Sequence, residues 1–403
     1  MLKLAFRNIF RNRLRTGLTL AAIVSGVVAI IISGGFVEDV FIQLREATIH
    51  SRIGHMQVYR KGYLEFSKRE PNKYLIADAG PALAAVRAIP EVAGVMTRLN
   101  FSGLANNGKA DLPILGEGIE TGQEAKFGGA TTIIAGRALR EADAYGVLVG
   151  EGVAAALHLK PGGYLTLVVN TAEGALNTLE FQVVGVFRTF FKEYDDRAVR
   201  IPQAAAQELM FTRAVHSLVV SLRETEDTDR ALAAVRAKLE PLGFEVKPWH
   251  ELADFYEKTV ALYRRQFGAL QFIILVMLVL SVASTVNMAV YERTGEFGTM
   301  LALGQRGGQV FRLVMLEYSL LGLIGGLAGL ILGVGLALAI SGVGIPMPPP
   351  PGSNAAYNAS VRVVPWVLFT ALVTGAIASA LAAVLPGRRA SRLPVVDALR
   401  HNI

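Results

Sequence analysis

The chain has 403 residues, 52% of them hydrophobic and 18% charged, with a mean hydropathy of +0.42. That is too apolar for an ordinary soluble protein of this length. The net charge of +7 is concentrated beside the apolar stretches and gives no support for nucleic-acid binding, and without cysteine any domain outside the membrane must be held by its own core.

Four stretches are long enough to cross a hydrocarbon core of about 30 Å as helices. Residues 17–37 and 266–291 carry no charge, and neither does 318–361, although the prolines from Pro346 end its helical part near Ile340. Residues 363–385 complete the set. Each must be helical, because only intrachain hydrogen bonds satisfy a backbone in lipid. Lys3, Arg7, Arg11, Arg13 and Arg15 precede the first span, and Arg388, Arg389, Arg392 and Arg400 follow the last. This bias places both termini and the loop 292–312 in the cytoplasm, and residues 38–265, which net −2, outside. The first span is too long for a signal-peptide core, and SGGFVED offers no A-x-A site, so it reads as a signal anchor.

Leu2, Phe6, Ile9 and Phe10 recur at helical spacing among arginines, the pattern of an interfacial helix or of a plain basic flank. Past the first span, Val37, Val40, Phe41, Leu44 and Ala47 continue a helical stripe. Leu252, Phe255, Tyr256, Leu262 and Tyr263 form another that leads into the second span. If they pair, the two stripes make a stalk; if not, they are simple juxtamembrane helices. GHMQVYRKGY (54–63) predicts a strand, and His50 and His55, with no third ligand in sight, read as structural histidines. A helix at 81–89 and strands at 92–101 and 111–119 follow; strand, helix and strand recur at 216–222, 229–239 and 244–247. These halves are expected to meet in one α+β subdomain, interrupted by a mainly β insert over about 135–210, with strands at 145–149, 164–170 and 179–187.

In the third span Gly325, Gly329 and Gly333 recur every four residues, with Gly322, Gly326 and Gly335 beside them. Small residues at this spacing predict close helix packing, within the chain or in a dimer. Glu317, near one end of that span, is expected to pair or to reach the interface. The proline run at 346–351 is a polyproline II strut or a spacer.

Between the second and third spans, residues 287–304 read NMAVYERTGEFGTMLALG. Glu292, Arg293 and Glu296 crowd the first turns, Phe297, Met300, Leu301 and Leu303 make an apolar side, and Gly304 stands where a glycine closes a helix. So short an amphipathic helix needs lipid headgroups or a protein partner to cover its apolar side. The pattern NxxxxERTxEFGxMxALG, with LAFRNIFRNRLRTGLT at 4–19 and LPGRRASRLPVVDALR at 385–400, resembles the MacB/FtsX/LolCE superfamily of ABC transporter permeases, closest to the lipoprotein-releasing LolC/LolE type.

The resemblance implies a fold class: a membrane protein with four transmembrane helices and a large α+β extracytoplasmic domain, a MacB-like periplasmic core domain, between the first two. The division is 1–50 for the interfacial helix, first span and stalk; 51–249 for the extracytoplasmic domain; and 250–291 for stalk and second span. The coupling loop takes 292–312, the third span 313–341, the external loop 342–362, the fourth span 363–385 and the tail 386–403. It also implies a bacterial inner-membrane location and partners: two copies of a separate ABC ATPase, a second permease copy or paralogue, a periplasmic lipoprotein carrier and membrane lipids. The coupling residues carried over are Glu292, Arg293, Glu296, Phe297, Met300, Leu301 and Gly304, with Phe297, Met300 and Leu301 filling a groove of the ATPase. On that reading Phe297→Asp uncouples ATP hydrolysis from output without unfolding the chain.

No G-x-x-x-x-G-K-[ST] loop, GxSxG or HExxH occurs in the sequence. The expectation is a non-catalytic subunit that binds no cofactor itself, ATP and Mg residing on the partner. Its output is lipoprotein release, with MacB-like export of a lipid, peptide or small molecule and FtsX-like signalling to a cell-wall hydrolase as alternatives.

Overall fold

The computed structural model describes residue 6 and residues 13–67, 73–127, 131–348, 357–392 and 394. The chain divides into two compact units: residues 1–42, 259–347 and 358–403 form one, and residues 43–258 with 348–357 the other. The interfacial helix expected through Leu2, Ile9 and Phe10, and most of the proline run after Pro348, lie outside the described residues.

The second unit is built on a ten-stranded sheet. Its strands are β1 (Met56–Arg60), β2 (Val92–Asn106), β3 (Asp111–Ile119), β4 (Thr132–Gly136), β5 (Gly146–Gly150), β6 (Tyr164–Asn170), β7 (Leu176–Arg188), β8 (Ala198–Pro202), β9 (Ser217–Leu222) and β10 (Phe244–Pro248). The order is β10-β1-β9-β2-β3-β8-β5-β7-β4, with β6 pairing β2 and β7. β1 lies between β9 and β10, strands more than 150 residues further along the chain, and β9 also pairs with β2, so the early and late stretches share one sheet. Helices Gly80–Arg87 and Thr228–Leu239 cover this part, burying Val86 and Val235 against Val58, Val95 and Val220. The β-rich insert has its own core around Leu99, Leu165, Phe181 and Val199. It is not a separate sheet. β8 pairs in parallel with β3, and the far half of β2, longer than its sequence pattern implied, pairs with β6. Gly116 permits this packing, since the Phe101 ring occupies the space where its Cβ would stand.

Of the two expected structural histidines, His50 stands 3.3 Å from Glu46 and His55 is buried, and His216, which the sequence did not single out, is buried as well. His55 is 1% exposed; its Nδ1 accepts the Leu222 amide at 3.2 Å and its Nε2 stands 3.1 Å from the Thr225 hydroxyl. His216, 3% exposed, accepts the Asn100 amide on Nδ1 at 3.2 Å. Burial pushes both imidazoles down to about 4 from the ordinary 6.5. His50, Glu46, Arg45 and Glu226 surround His55 and oppose one another in sign. A depressed histidine pKa means that the unfolded chain takes up the proton first. The stability is therefore complete above about pH 6.5 and is lost as the pH falls towards 4, by about 2 kcal/mol per histidine at pH 5. Denaturation of the chain at pH 7 and pH 5 reads this loss. His216→Asn, which keeps an acceptor at the Nδ1 position, is expected to flatten the pH slope by its share, and an unchanged slope would refute the assignment.

The membrane unit is built from helices Arg13–Thr48, Asp254–Glu292, Gly307–Val343 and Pro365–Ser391, called here the first to fourth spanning helices; residues 43–48 of the first and 254–258 of the second belong to the other unit. The first three cover their expected spans and run past them at both ends; the fourth starts two residues later than the expected 363 and runs past 385 to Ser391. Phe272, Met277 and Leu280 of the second helix are more than half exposed, as a lipid-facing surface requires. The glycine repeat resolves in a specific way. Gly325, Gly329 and Gly333 seat Ile23, Val27 and Ile31 of the first helix: an added Cβ at Gly329 would stand 2.8 Å from Val27 Cβ. Gly322 and Gly326, one position round, seat Ser379 and Leu372 of the fourth. Two glycine faces on one helix thus receive two neighbours within the chain. The stalk stripes are only partly engaged. Val37 and Phe41 are buried and the Arg264 guanidinium lies over the Phe41 ring at 5.8 Å, but Leu262 is 56% exposed. Asp39, inside the first helix, is buried and held by Arg362 Nε and the Ser360 amide, both at 2.9 Å.

Candidate functional site: the helix between the second and third spans

After Glu292 the backbone breaks at Arg293 and restarts as the helix Thr294–Ala302. Gly304 ends it at φ +90°, its amide donating to Leu301 O at 3.0 Å and that of Gln305 to Met300 O at 3.1 Å. This is a Schellman closure, which needs a left-handed residue and so a glycine. Arg306 then opens the third helix, its amide donating to Gln309 Oε1 at 3.0 Å.

Phe297 corrects one expectation. It is 1% exposed and packs in the membrane unit's own core with Val290, Val310 and Val314, with Met300 and Leu301 against the same cluster. Gly295 and Gly298 are buried beside it, so the helix lies flush on the bundle. Of the apolar side recognised in the sequence, Phe297 therefore faces inward and cannot fill a partner's groove, while Met300 and Leu301 are partly buried against the bundle. Leu303 is 82% exposed, and Glu296, Thr299, Gln305 and Arg306 are exposed with it.

The charged residues divide in the same way. Arg293 turns back to the third helix, where its Nη1 donates to both oxygens of Glu317 at 2.9 Å. Its Nε donates to Glu296 at 3.1 Å, and its guanidinium covers the Phe297 ring at 5.2 Å. Arg293 and Glu317 side chains are only 13% and 7% exposed. Glu292 pairs instead with Arg15 of the first helix. Glu317 thus pairs, as expected of a membrane acid near a span end, and a polar cavity of about 220 Å³ bordered by Arg15, Thr19, Glu292, Glu296 and Tyr318 adjoins the cluster. Charge spacing along the loop did not reveal the Arg15–Glu292 and Arg293–Glu317 pairs, because each joins residues on different helices.

A four-helix membrane bundle with a large mixed α/β domain between its first two helices, and a short helix clamped at one end, is the architecture of a permease subunit. Comparisons with known proteins agree. Residues 16–238 match the MacB-like periplasmic core domain and residues 268–395 the FtsX-like permease C-terminal domain. The chain belongs to the MacB/FtsX/LolC family of ABC transporter permeases. Relatives include the pyoverdine export ATP-binding/permease protein PvdT of Pseudomonas savastanoi pv. phaseolicola, 28% identical over 98% of this chain and 58% of that protein. Another is the lipoprotein-releasing system transmembrane protein LolC of Neisseria meningitidis serogroup B, 23% identical over 96% of this chain and 94% of that one. Among solved structures, the periplasmic region of MacB from Actinobacillus actinomycetemcomitans aligns with 52% of this chain and 94% of that one, at 14% identity and TM-score 0.37. The chain spans somewhat over half the length of the PvdT proteins it matches.

Proposed function

We propose that this chain is the permease subunit through which a separate ABC ATPase, present in two copies, drives motion of the extracytoplasmic domain and so releases lipoproteins from the bacterial inner membrane. A second permease, identical or paralogous, completes the complex, and a periplasmic carrier receives the cargo. Both termini and the Thr294–Ala302 helix lie in the cytoplasm, as the flanking arginines favour. The observation that carries the reading is the build of that helix. Its inner side is welded to the bundle by Phe297 and the Arg293–Glu317 pair, while Glu296, Thr299 and Leu303 are left outward. A lever must be fixed to what it moves and open to what pushes it. The near end-to-end match to LolC supports lipoprotein as cargo. The higher identity to PvdT favours a second reading, export of a small molecule.

Purifying the tagged chain from its native membrane, with and without ATP, tests both. An ABC ATPase is expected to co-purify with the parent and to be lost from Leu303→Asp, which alters only the exposed face. Acylated proteins released on ATP addition support the first reading, and a small molecule in their place the second. A parent that retains no ATPase sinks both.

A further inference from the structure

We infer that Arg200 is the clasp that holds the outer end of the first spanning helix to the sheet of the extracytoplasmic domain. On the transport reading proposed above, it is also the point at which displacement of that helix enters the domain. The helix runs unbroken from Arg13 to Thr48 and ends in a π turn, Ile49–Ile53. The last carbonyls of a helix have no partner within it. One of them, Ser51 O, accepts from Arg200 Nη2 at 3.0 Å, across 149 positions of sequence.

Arg200 is on β8, 1% exposed, and its other contacts fix it from every side. Nη1 donates to Thr131 Oγ1 at 3.2 Å and Nε to the Tyr194 hydroxyl at 3.3 Å, while the guanidinium lies 4.8 Å over the Phe187 ring. Glu117 of β3 and Glu124 stand at 3.4 and 3.5 Å, and both also pair with Arg98 of β2. Two buried cations and two acids thus cancel, and they lock β2, β3, β8 and the helix end into one network. A network of this kind adds little net stability, since desolvation offsets the attraction, but it specifies one geometry.

The space beside the clasp is the second observation. A cavity of about 190 Å³ lies between Ile49, His50 and Ser51 on one side and Met96, Ile119 and Leu148 on the other. Over that gap the helix end has no apolar atoms to rest on, so packing alone does not set its position there. Ile49 also packs in a cluster with Trp249 and Ala253, and Arg45 reaches the exposed Glu226 at 2.9 Å, an ion pair of the solvated kind that contributes little.

Because the chain has no cysteine, two introduced ones are its only labels. We would place spin labels at Ala47→Cys and Glu180→Cys in the full chain, held in phospholipid nanodiscs, and measure the distance distribution between them. The parent is expected to give one narrow peak. Arg200→Met with Glu117→Leu removes a charge of each sign together, so that the fold survives, and is expected at least to double the width. Hydrogen exchange gives an independent reading: the Gly54 amide, which donates to Ile49 O at 2.8 Å, is expected to exchange at least tenfold faster in Arg200→Lys. An unchanged width in the folded double variant, or an unchanged Gly54 rate, would overturn the clasp. Both readouts use the chain without an ATPase, so they fail or succeed separately from the transport reading.

Discussion

Phe297→Asp is expected to destabilise the membrane unit outright, not to silence a docking surface. The side chain is 1% exposed among Val290, Val310 and Val314. Truncating a buried phenylalanine costs about 3–5 kcal/mol, and a carboxyl left there without a partner adds a desolvation cost of its own. Phe297→Ala should therefore lower the apparent Tm in detergent by a margin that Leu303→Asp, at an 82% exposed position, does not approach. The Leu303 variant is the one that should lose the ATPase while keeping the parent melting curve. If Phe297→Asp melts like the parent, the inward packing of this helix is wrong, and the groove-filling role expected from the sequence returns.

The Arg293–Glu317 pair gives the other large effect. Removing one member of a buried ion pair leaves an uncompensated charge and costs about 3–5 kcal/mol, whereas replacing both by apolar residues of similar volume is close to neutral. Arg293→Met alone should be severely destabilised, and Arg293→Met with Glu317→Leu should recover most of the loss. The recovered double variant is nonetheless expected to couple poorly. A hydrophobic contact fills the space without dictating the angle of the Thr294–Ala302 helix, which the two 2.9 Å bonds now set. Melting and ATPase stimulation measured on the same preparations separate the two roles. A double variant as unstable as the single one would show that Glu317 is not the partner that matters.

The contrast between Phe297 and Gly304 shows what could be read in advance. Gly304 was legible because a Schellman closure depends on a local φ, and glycine is the residue that adopts it without strain. The direction of Phe297 was not, because amphipathic spacing marks an apolar side without saying whether its cover is the same chain or another. The glycine repeat behaves likewise: spacing predicted close packing, but only the bundle shows that Gly329 faces Val27 while Gly326 faces Leu372. Arg98, Glu117, Glu124 and Arg200 gave no sequence signal, since four charges on strands and a short helix read as solvated until topology buries them together.

By itself the amino-acid sequence determined the four spans, the domain between the first two, the alternation of helix and strand within that domain, and the short helix before the third span. All of these follow from periodicity, from the length needed to cross lipid and from local backbone preference, terms that act over a few residues. Tertiary structure alone decided which side of that helix is open, which helices the glycines receive, and that two arginines and two glutamates meet under the end of the first helix. Those outcomes depend on desolvation and pairing between residues far apart in the chain, 149 positions for Ser51 and Arg200 and 302 for Val27 and Gly329, and nothing in local spacing encodes which distant partner will be there.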